Sequence, residues 1–398
     1  MINNMNDKVN NNFDVIVVGC GPAGAQIARN LSSDGKNVLV LDHRNEIGNK
    51  LCTGIVGIEL YNHYPEVEKF IYSKANSAKI FNDLEDIIDI KKDETQALII
   101  DRVKFIQSII NEAVEYGAVL KKQRLVTHAE INNDHVKVEA RFGSHQEIYN
   151  SKLLIIASGF NSKFAKSIGF NLSNDYIYGY QTKINNLKIN KVNVFTGGSL
   201  PKGHFGWLVP TSQDQGLCGI LGKTKLKNNG KDFLNEMKKI FNFEIQEKTK
   251  VWGIPIKPVK KNYSDRCLLV GDVAGQVKPT TGGGIYYAMR SSDIASKIIL
   301  NSLKTNKFKQ KDLSLYSKEW DQIFKNELKI GFFARQFYES LNNQDIVKIL
   351  KHIKESELIS SEINFDWHSK IILMAFKTKI KSFLKGSLAT KFKNLRFS

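Results

Sequence analysis

Cysteine is scarce in this chain: four residues in 398, at positions 20, 52, 218 and 267, with no C-x-x-C pair and no histidine at metal-ligand spacing. That scatter excludes a zinc site, an iron–sulfur cluster and a disulfide framework, so no metal is expected and a reducing compartment follows. Proline is also sparse, with 7 residues, and the balance of 42% hydrophobic to 25% charged is that of an ordinary packed globular protein. No apolar run is long enough to span a bilayer. The first residues, Met1 to Asn12, are rich in asparagine and lack an apolar core segment, which reads as a short disordered tail rather than a signal peptide. Acidic residues are outnumbered 40 to 58, giving a net charge of +18 and pointing to anionic partners.

The end of the chain carries much of that bias. From Ser369 to Ser398 there are eight Lys or Arg and no acid, interleaved with Leu373, Phe376, Ile380, Phe383, Leu384, Leu388 and Leu395 at helical spacing. Two readings fit: an amphipathic helix lying on an anionic membrane surface, or a terminal helix packed on its own protein with lysines in water. No nucleic-acid module is recognisable, so nucleic acid is not an expected partner. The expected location is the cytoplasm, peripheral to a membrane under the first reading.

Length alone predicts more than one domain. Phe13–Val18, Gly19–Leu31 and Val38–Leu41 read as strand, helix, strand, a single βαβ unit. Residues 57–100 are polar and look irregular, an insertion leaving that unit. Asp101–Tyr116 has the spacing of a helix, and Leu153–Ile156 reads as a buried strand. From Gly169 to Tyr263 strand and turn signals dominate, which predicts a mostly antiparallel sheet. A further buried strand at Cys267–Val270 leads to a glycine-rich turn and a helix over Gly284–Leu300, and the pattern beyond Lys304 is helical. The expected organisation is a tail at 1–12, a discontinuous nucleotide-binding domain at 13–58, 101–168 and 264–303, a substrate domain at 59–100 and 169–263, and a helical C-terminal region at 304–398.

Gly19-Cys20-Gly21-Pro22-Ala23-Gly24 follows a strand and opens a helix, the context in which glycines let the backbone approach a diphosphate at a helix N-terminus. Asp42, 23 residues after Gly19 at the end of the second strand, is placed to accept from a ribose hydroxyl, with His43 beside it. This signal does not separate NAD from FAD. Two later pieces do: Gly271-Asp272 after a strand offers a carboxylate to a polyol, and Gly282-Gly283-Gly284 before Ile285 offers bare N–H groups and a helix dipole to a flavin ring, neither of which NAD would use.

These segments resemble the geranylgeranyl reductase group of flavoproteins, within the wider aromatic-hydroxylase-like fold. The run Val270 to Pro279 with Gly282-Gly283-Gly284-Ile285 is close to that group's flavin motif. Lys50-Leu51-Cys52-Thr53-Gly54 looks like its K-x-C-G-x-G segment, with Thr53 where glycine is usual. Phe205-Gly206-Trp207-Leu208-Val209-Pro210 looks like its Y-x-W-x-F-P motif, and Asp101-Arg102 falls where the group has a flavin-contacting arginine. In Ala157-Ser158-Gly159, serine replaces the aspartate of related hydroxylases.

The resemblance implies an α/β fold with a Rossmann-like FAD-binding domain, an antiparallel-sheet substrate domain and a helical C-terminal region. It implies FAD as cofactor and reduction of isoprenoid carbon–carbon double bonds in a prenylated lipid, with a reductant such as NAD(P)H or ferredoxin. Phe205, Trp207, Leu208 and Pro210 would line the substrate pocket. Cys52 would lie near the flavin as proton donor, pocket shaper or plain buried residue. His204, next to the aromatic motif, is a candidate acid but reads by default as a surface or hydrogen-bonded histidine, and Lys278, which could place a cation near the flavin, reads by default as a solvated loop lysine. Alternatives are an FAD-dependent monooxygenase or halogenase of the same fold, although no G-W-x-W-x-I-P motif is present, and, in another class, a non-catalytic prenyl-binding protein such as the Rab GDP-dissociation inhibitors.

Overall fold

The computed structural model describes residues 11–50, 52–83, 85–160, 162–223, 226–355 and 364–377. Residues 1–10 of the expected tail, Leu51, Asn161 and 378–398 of the basic C-terminal stretch lie outside them.

One sheet has a parallel core in the order Cys267–Leu269, His145–Ile156, Asn12–Val18, Val38–Asp42, Val119–Lys122. Its central strands are continuous apolar runs because both faces are covered. On one face pack the helices Pro22–Ser33, Arg102–Glu115 and Ile285–Thr305, burying Ile27, Ile106 and Ile298 among others. On the other lie the antiparallel strands Leu125–Ile131 and Val136–Phe142, which contribute Val126 and Val138 to a second core with Ile16 and Leu39. The middle helix begins where the sequence predicts, capped by Asp101, whose carboxylate accepts from the Lys104 N–H at 3.1 Å.

A second sheet runs Glu244–Ile245, Tyr176–Asn185, Gln215–Gly222, Phe205–Pro210, Val192–Thr196, Ser77–Asn82, Glu85–Lys91, with Lys250–Pro255 also paired to Tyr176–Asn185. Its pairings are antiparallel except that Val192–Thr196 runs parallel to Ser77–Asn82. Two expectations need correction. Residues 57–100 are not irregular: they form a short helix Ile58–His63, the strands Ser77–Asn82 and Glu85–Lys91, and, with Ile55–Gly57, a small sheet that includes Ala97–Ile100 and Ile71–Ala75. Their polar composition reflects half-buried strands rather than absent ones. The strand-dominated region also holds a helix, Leu226–Phe241, packed through Phe233, Leu234 and Met237 on the sheet face away from the first sheet's cleft. Gly230 hides its periodicity, and a side chain there would meet the Tyr180 ring at 2.5 Å.

Beyond residue 304 the chain is helical at Gln310–Ser340, Asn343–Glu355 and Ser369–Lys377, with a strap of irregular backbone at 364–368. Among the described residues no helix is long and apolar enough to cross a membrane.

Candidate functional site

Between the two sheets lies a cavity of about 690 Å³ that runs from the first glycine turn to the strand Phe205–Pro210. At one end are Gly19, Gly21, Pro22 and Ala23, with Asp42 and His43 beside them. Gly19 has φ of +102°, and a Cβ there would lie 2.5 Å from the Ala157 carbonyl oxygen, so only glycine is accommodated. Gly24 does not face the cavity. A Cβ on it would sit 1.8 Å from the Gly19 oxygen, and its role is to let the helix press against the strand. Nothing lies within 4 Å of a Cβ on Gly21, which opens bare backbone to the cavity at the N-cap of that helix.

Asp42 is buried and accepts from the Cys20 N–H at 2.7 Å and the Arg44 N–H at 2.8 Å. A carboxylate has about four acceptor positions, so capacity remains for a ligand hydroxyl. Arg124, Leu125, Val126 and Thr127 complete this end, a lining with no signature in the sequence beyond strand alternation.

The middle of the cavity carries Cys52, Arg102, Gly271, Asp272, Gly282, Gly283, Gly284 and Ile285. Asp272 sits on a turn held by Gln276, whose side chain accepts from the Gly271 N–H at 2.7 Å and donates to the Tyr316 hydroxyl at 2.7 Å. Lys50 forms an ion pair with Asp272 across the cleft, and the Lys50 carbonyl accepts from Arg102. The residues predicted on four separate segments thus share one wall-to-wall space. Ser158 also lines it, with a buried hydroxyl that has no partner among the described residues. An orphaned donor, a bare glycine cradle and two carboxylates spaced along one slot fit a long dinucleotide.

At the far end the wall is apolar: Phe205, Trp207, Trp252, Ile254 and Val192. Here the sequence reading needs correction. Leu208 is buried in the opposite core with Ile184 and Phe233, and neither it nor Pro210 lines the cavity. Side chains alternate along a strand, so 205 and 207 share one face while 208 and 210 point to the other. The Trp207 N–H donates to Gln181 at 3.1 Å, and the Gln181 amide donates to the Cys52 carbonyl at 3.4 Å, tying the aromatic strand to the cysteine segment.

Burial pushes the thiols of Cys20, Cys218 and Cys267 up, which leaves them protonated and inert. Cys52 is half-buried and, like Cys20, lines the cavity, its sulfur 3.5 Å from the Gly54 N–H. His204 is buried rather than superficial, with Nδ1 3.2 Å from the Lys202 carbonyl, and lies outside the cavity lining.

Lys278 is not the solvated loop lysine of its default sequence reading. It is 3% exposed, lines the cavity, and its ammonium donates to the Phe365 carbonyl and lies 3.9 Å from Asp366. Asp366 comes from the 364–368 strap and accepts from the Glu59 N–H at 3.1 Å, at the start of the helix Ile58–His63. A Cβ on Gly57 would fall 1.8 Å from that carboxylate, so the strap seats only against glycine. Burial pushes the Lys278 ammonium down to about 8 and raises the Asp366 carboxyl above its usual range, the mutual attraction opposing both shifts. Trp367 stacks on Phe324 with centroids 5.6 Å apart.

His368 anchors the other end of the strap. The Thr280 hydroxyl lies 2.6 Å from Nδ1 and the Phe365 carbonyl 3.0 Å from Nε2, a pattern that suits neutral imidazole protonated on Nε2. Burial, reinforced by the Lys278 charge, pushes its pKa down to about 3 from 6.5. The unfolded chain takes up this proton at the higher pH, so stability falls as pH drops through that window, by up to about 1.4 kcal/mol per unit. The raised Asp366 carboxyl acts in the opposite sense and reduces the slope. Thermal midpoints measured from about pH 7 to 4 should therefore fall more steeply for the natural chain than for His368→Gln, and parallel curves would refute the assignment.

Among the described residues no group of three His, Cys, Asp or Glu could hold a metal ion. A family model described as pyridine nucleotide-disulphide oxidoreductase matches residues 13–199. The digeranylgeranylglycerophospholipid reductase of Methanocaldococcus jannaschii is 25% identical over 364 residues, 88% of this chain and 92% of that protein. A geranylgeranyl bacteriochlorophyll reductase-like protein from Thermoplasma acidophilum superposes with a TM-score of 0.85 at 20% identity, over 96% of this chain and 99% of that one. A p-nitrophenol 4-monooxygenase from Pseudomonas putida gives 0.71 at 14% identity, over 92% and 98%. At these structural identities the likeness speaks to fold.

Proposed function

We propose that this chain, an FAD-dependent oxidoreductase similar to the digeranylgeranylglycerophospholipid reductases, saturates carbon–carbon double bonds in the isoprenoid chains of a prenylated lipid. The observation that carries the reading is the continuity of one cavity from a dinucleotide cradle to an apolar, aromatic-walled slot. In this reading the backbone around Gly19 and Gly21 holds the diphosphate, Asp42 and the neighbouring His43 the ribose end, Asp272 the ribityl chain, and the N–H groups of Gly282 to Ile285 the pyrimidine edge. Arg102 fixes the segment that carries Lys50 and Cys52. Bound FAD, once reduced, supplies a hydride to the alkene.

An isolated trisubstituted alkene has no group to draw a hydride, so the protein's task is positioning and exclusion of water. Phe205, Trp207, Trp252 and Ile254 form a dry wall against which the chain lies flat, and such orientation contributes several kcal/mol to lowering a barrier. Cys52 faces the same space as a shaper of the slot or a proton source. The electrons come from an external donor such as NAD(P)H or ferredoxin, and the enzyme works in the cytoplasm at an anionic membrane surface.

The test is direct. FAD-loaded protein reduced with dithionite and mixed with a panel of prenylated lipids should yield products heavier by two hydrogens per double bond, read by mass spectrometry. Lipids that stay unreduced while an active relative converts them would overturn the proposal, and oxygen uptake coupled to NAD(P)H oxidation would replace it with a monooxygenase.

A further inference from the structure

We propose that Lys278 is a fixed positive charge built into the flavin-facing wall, and that it sets how readily the cofactor of this enzyme accepts electrons. The backbone of Lys278 is closed into the glycine loop from both sides: its N–H donates to the Gly283 carbonyl at 2.9 Å and its carbonyl accepts from the Gly282 N–H at 2.9 Å. Its side chain folds back over that same loop. A Cβ on Gly283 would lie 3.2 Å from Cε and 3.9 Å from Nζ. The ammonium is therefore held on the wall whose N–H groups lead into the helix Ile285–Thr305, at the positive end of that helix.

The cost of this arrangement argues for a purpose. A lysine buried in a protein loses its hydration, and replacing a buried ion pair by apolar side chains of similar volume is often neutral or stabilising. Packing alone would be served by methionine. The partners are arranged to keep the charge rather than to neutralise it closely: Asp366 stands 3.9 Å away and is itself engaged by the Glu59 N–H at 3.1 Å, while Glu327 is occupied by the N–H groups of His368 and Ser369 at 2.7 and 3.1 Å. The Phe365 ring covers Nζ at 4.3 Å and shields it from water. A water-poor setting lengthens the reach of a charge.

Two-electron reduction of a flavin with uptake of one proton leaves one negative charge on the ring. A cation and a helix N-terminus on one wall both favour that product over the neutral oxidised form, with the electrons drawn from dithionite in the assay or from the external donor in the cell. This inference rests on the placement of the pyrimidine edge at the glycine loop proposed above, and is independent of which lipid is reduced.

Potentiometric titration of FAD-loaded protein tests it with Lys278→Met, with the charge-free pair Lys278→Met/Asp366→Asn, and with Lys278→Arg. At a fixed ambient potential the ratio of reduced to oxidised flavin should fall at least tenfold in both neutral variants, about 30 mV for a two-electron couple, and stay near the natural value in Lys278→Arg. Sulfite, which adds to flavins made electron-poor by a neighbouring cation, should bind the neutral variants at least tenfold more weakly, seen as reduced bleaching of the visible band. Retention of FAD by Lys278→Arg alone would likewise assign the charge to the cofactor. Unchanged potentials in the neutral variants, or a shift in Lys278→Arg equal to that of methionine, would overturn the inference, as would loss of FAD from all three. Failure of the site placement itself would show separately, as full FAD retention after Asp272→Ala.

Discussion

An Asp272→Ala variant is expected to leave gel filtration with at most a tenth of the FAD per chain that the natural protein carries. A hydrogen bond to a charged group contributes about 1.5–3 kcal/mol, which is a tenfold to hundredfold change in affinity. Apart from its ion pair with Lys50, the carboxylate is left open to a ligand because Gln276 has taken over the task of holding its turn. The substitution also strands Lys50, whose ammonium loses its partner beside the same slot. Titrating apoprotein with FAD measures the effect, and an unchanged dissociation constant would show that Asp272 faces no ligand.

The glycine turn gives a second large effect, and a contrast that separates folding from binding. Gly21→Ala should weaken FAD binding at least tenfold while leaving the thermal midpoint of the apoprotein unchanged. Its φ of −88° suits alanine and its Cβ would meet nothing within 4 Å, yet that methyl would project where a diphosphate must approach backbone N–H groups. Gly24→Ala should do the reverse and cost about 3 kcal/mol of stability, since its methyl would lie 1.8 Å from a backbone oxygen that side-chain rotation cannot move. Equal stabilities for the two variants, read by denaturant unfolding, would contradict this division of labour.

What could be read from the sequence were the parts whose chemistry is local. A glycine turn between strand and helix, an acid at the next strand's end, and a helix starting at Asp101-Arg102 are each specified within a few residues, and the structure has each of these elements. The errors arose where the deciding contact comes from elsewhere in the chain. Lys278 looks like a loop lysine until a strap almost ninety residues later covers it. Gly57 looks like a spacer until Asp366 is seen pressed against it. Leu208 and Pro210 belonged to a motif matched as a block, although the period of two within a strand assigns them to the face opposite Trp207. The helix at Leu226–Phe241 was hidden by a glycine whose reason is the Tyr180 ring on the neighbouring strand.

The parallel pairing of Val192–Thr196 with Ser77–Asn82 bears on how the molecule can be divided. A recombinant fragment starting near residue 169 would contain most of the second sheet but would leave Val192–Thr196 as a raw border, its main-chain donors and acceptors unclaimed along one side. Such borders recruit strands from other copies, so the fragment should precipitate or oligomerise rather than stand alone. Dissecting this protein by trimming at one point is therefore a poor strategy, whereas a permuted version that carries residues 71–100 alongside the excised sheet would keep its outer strands satisfied.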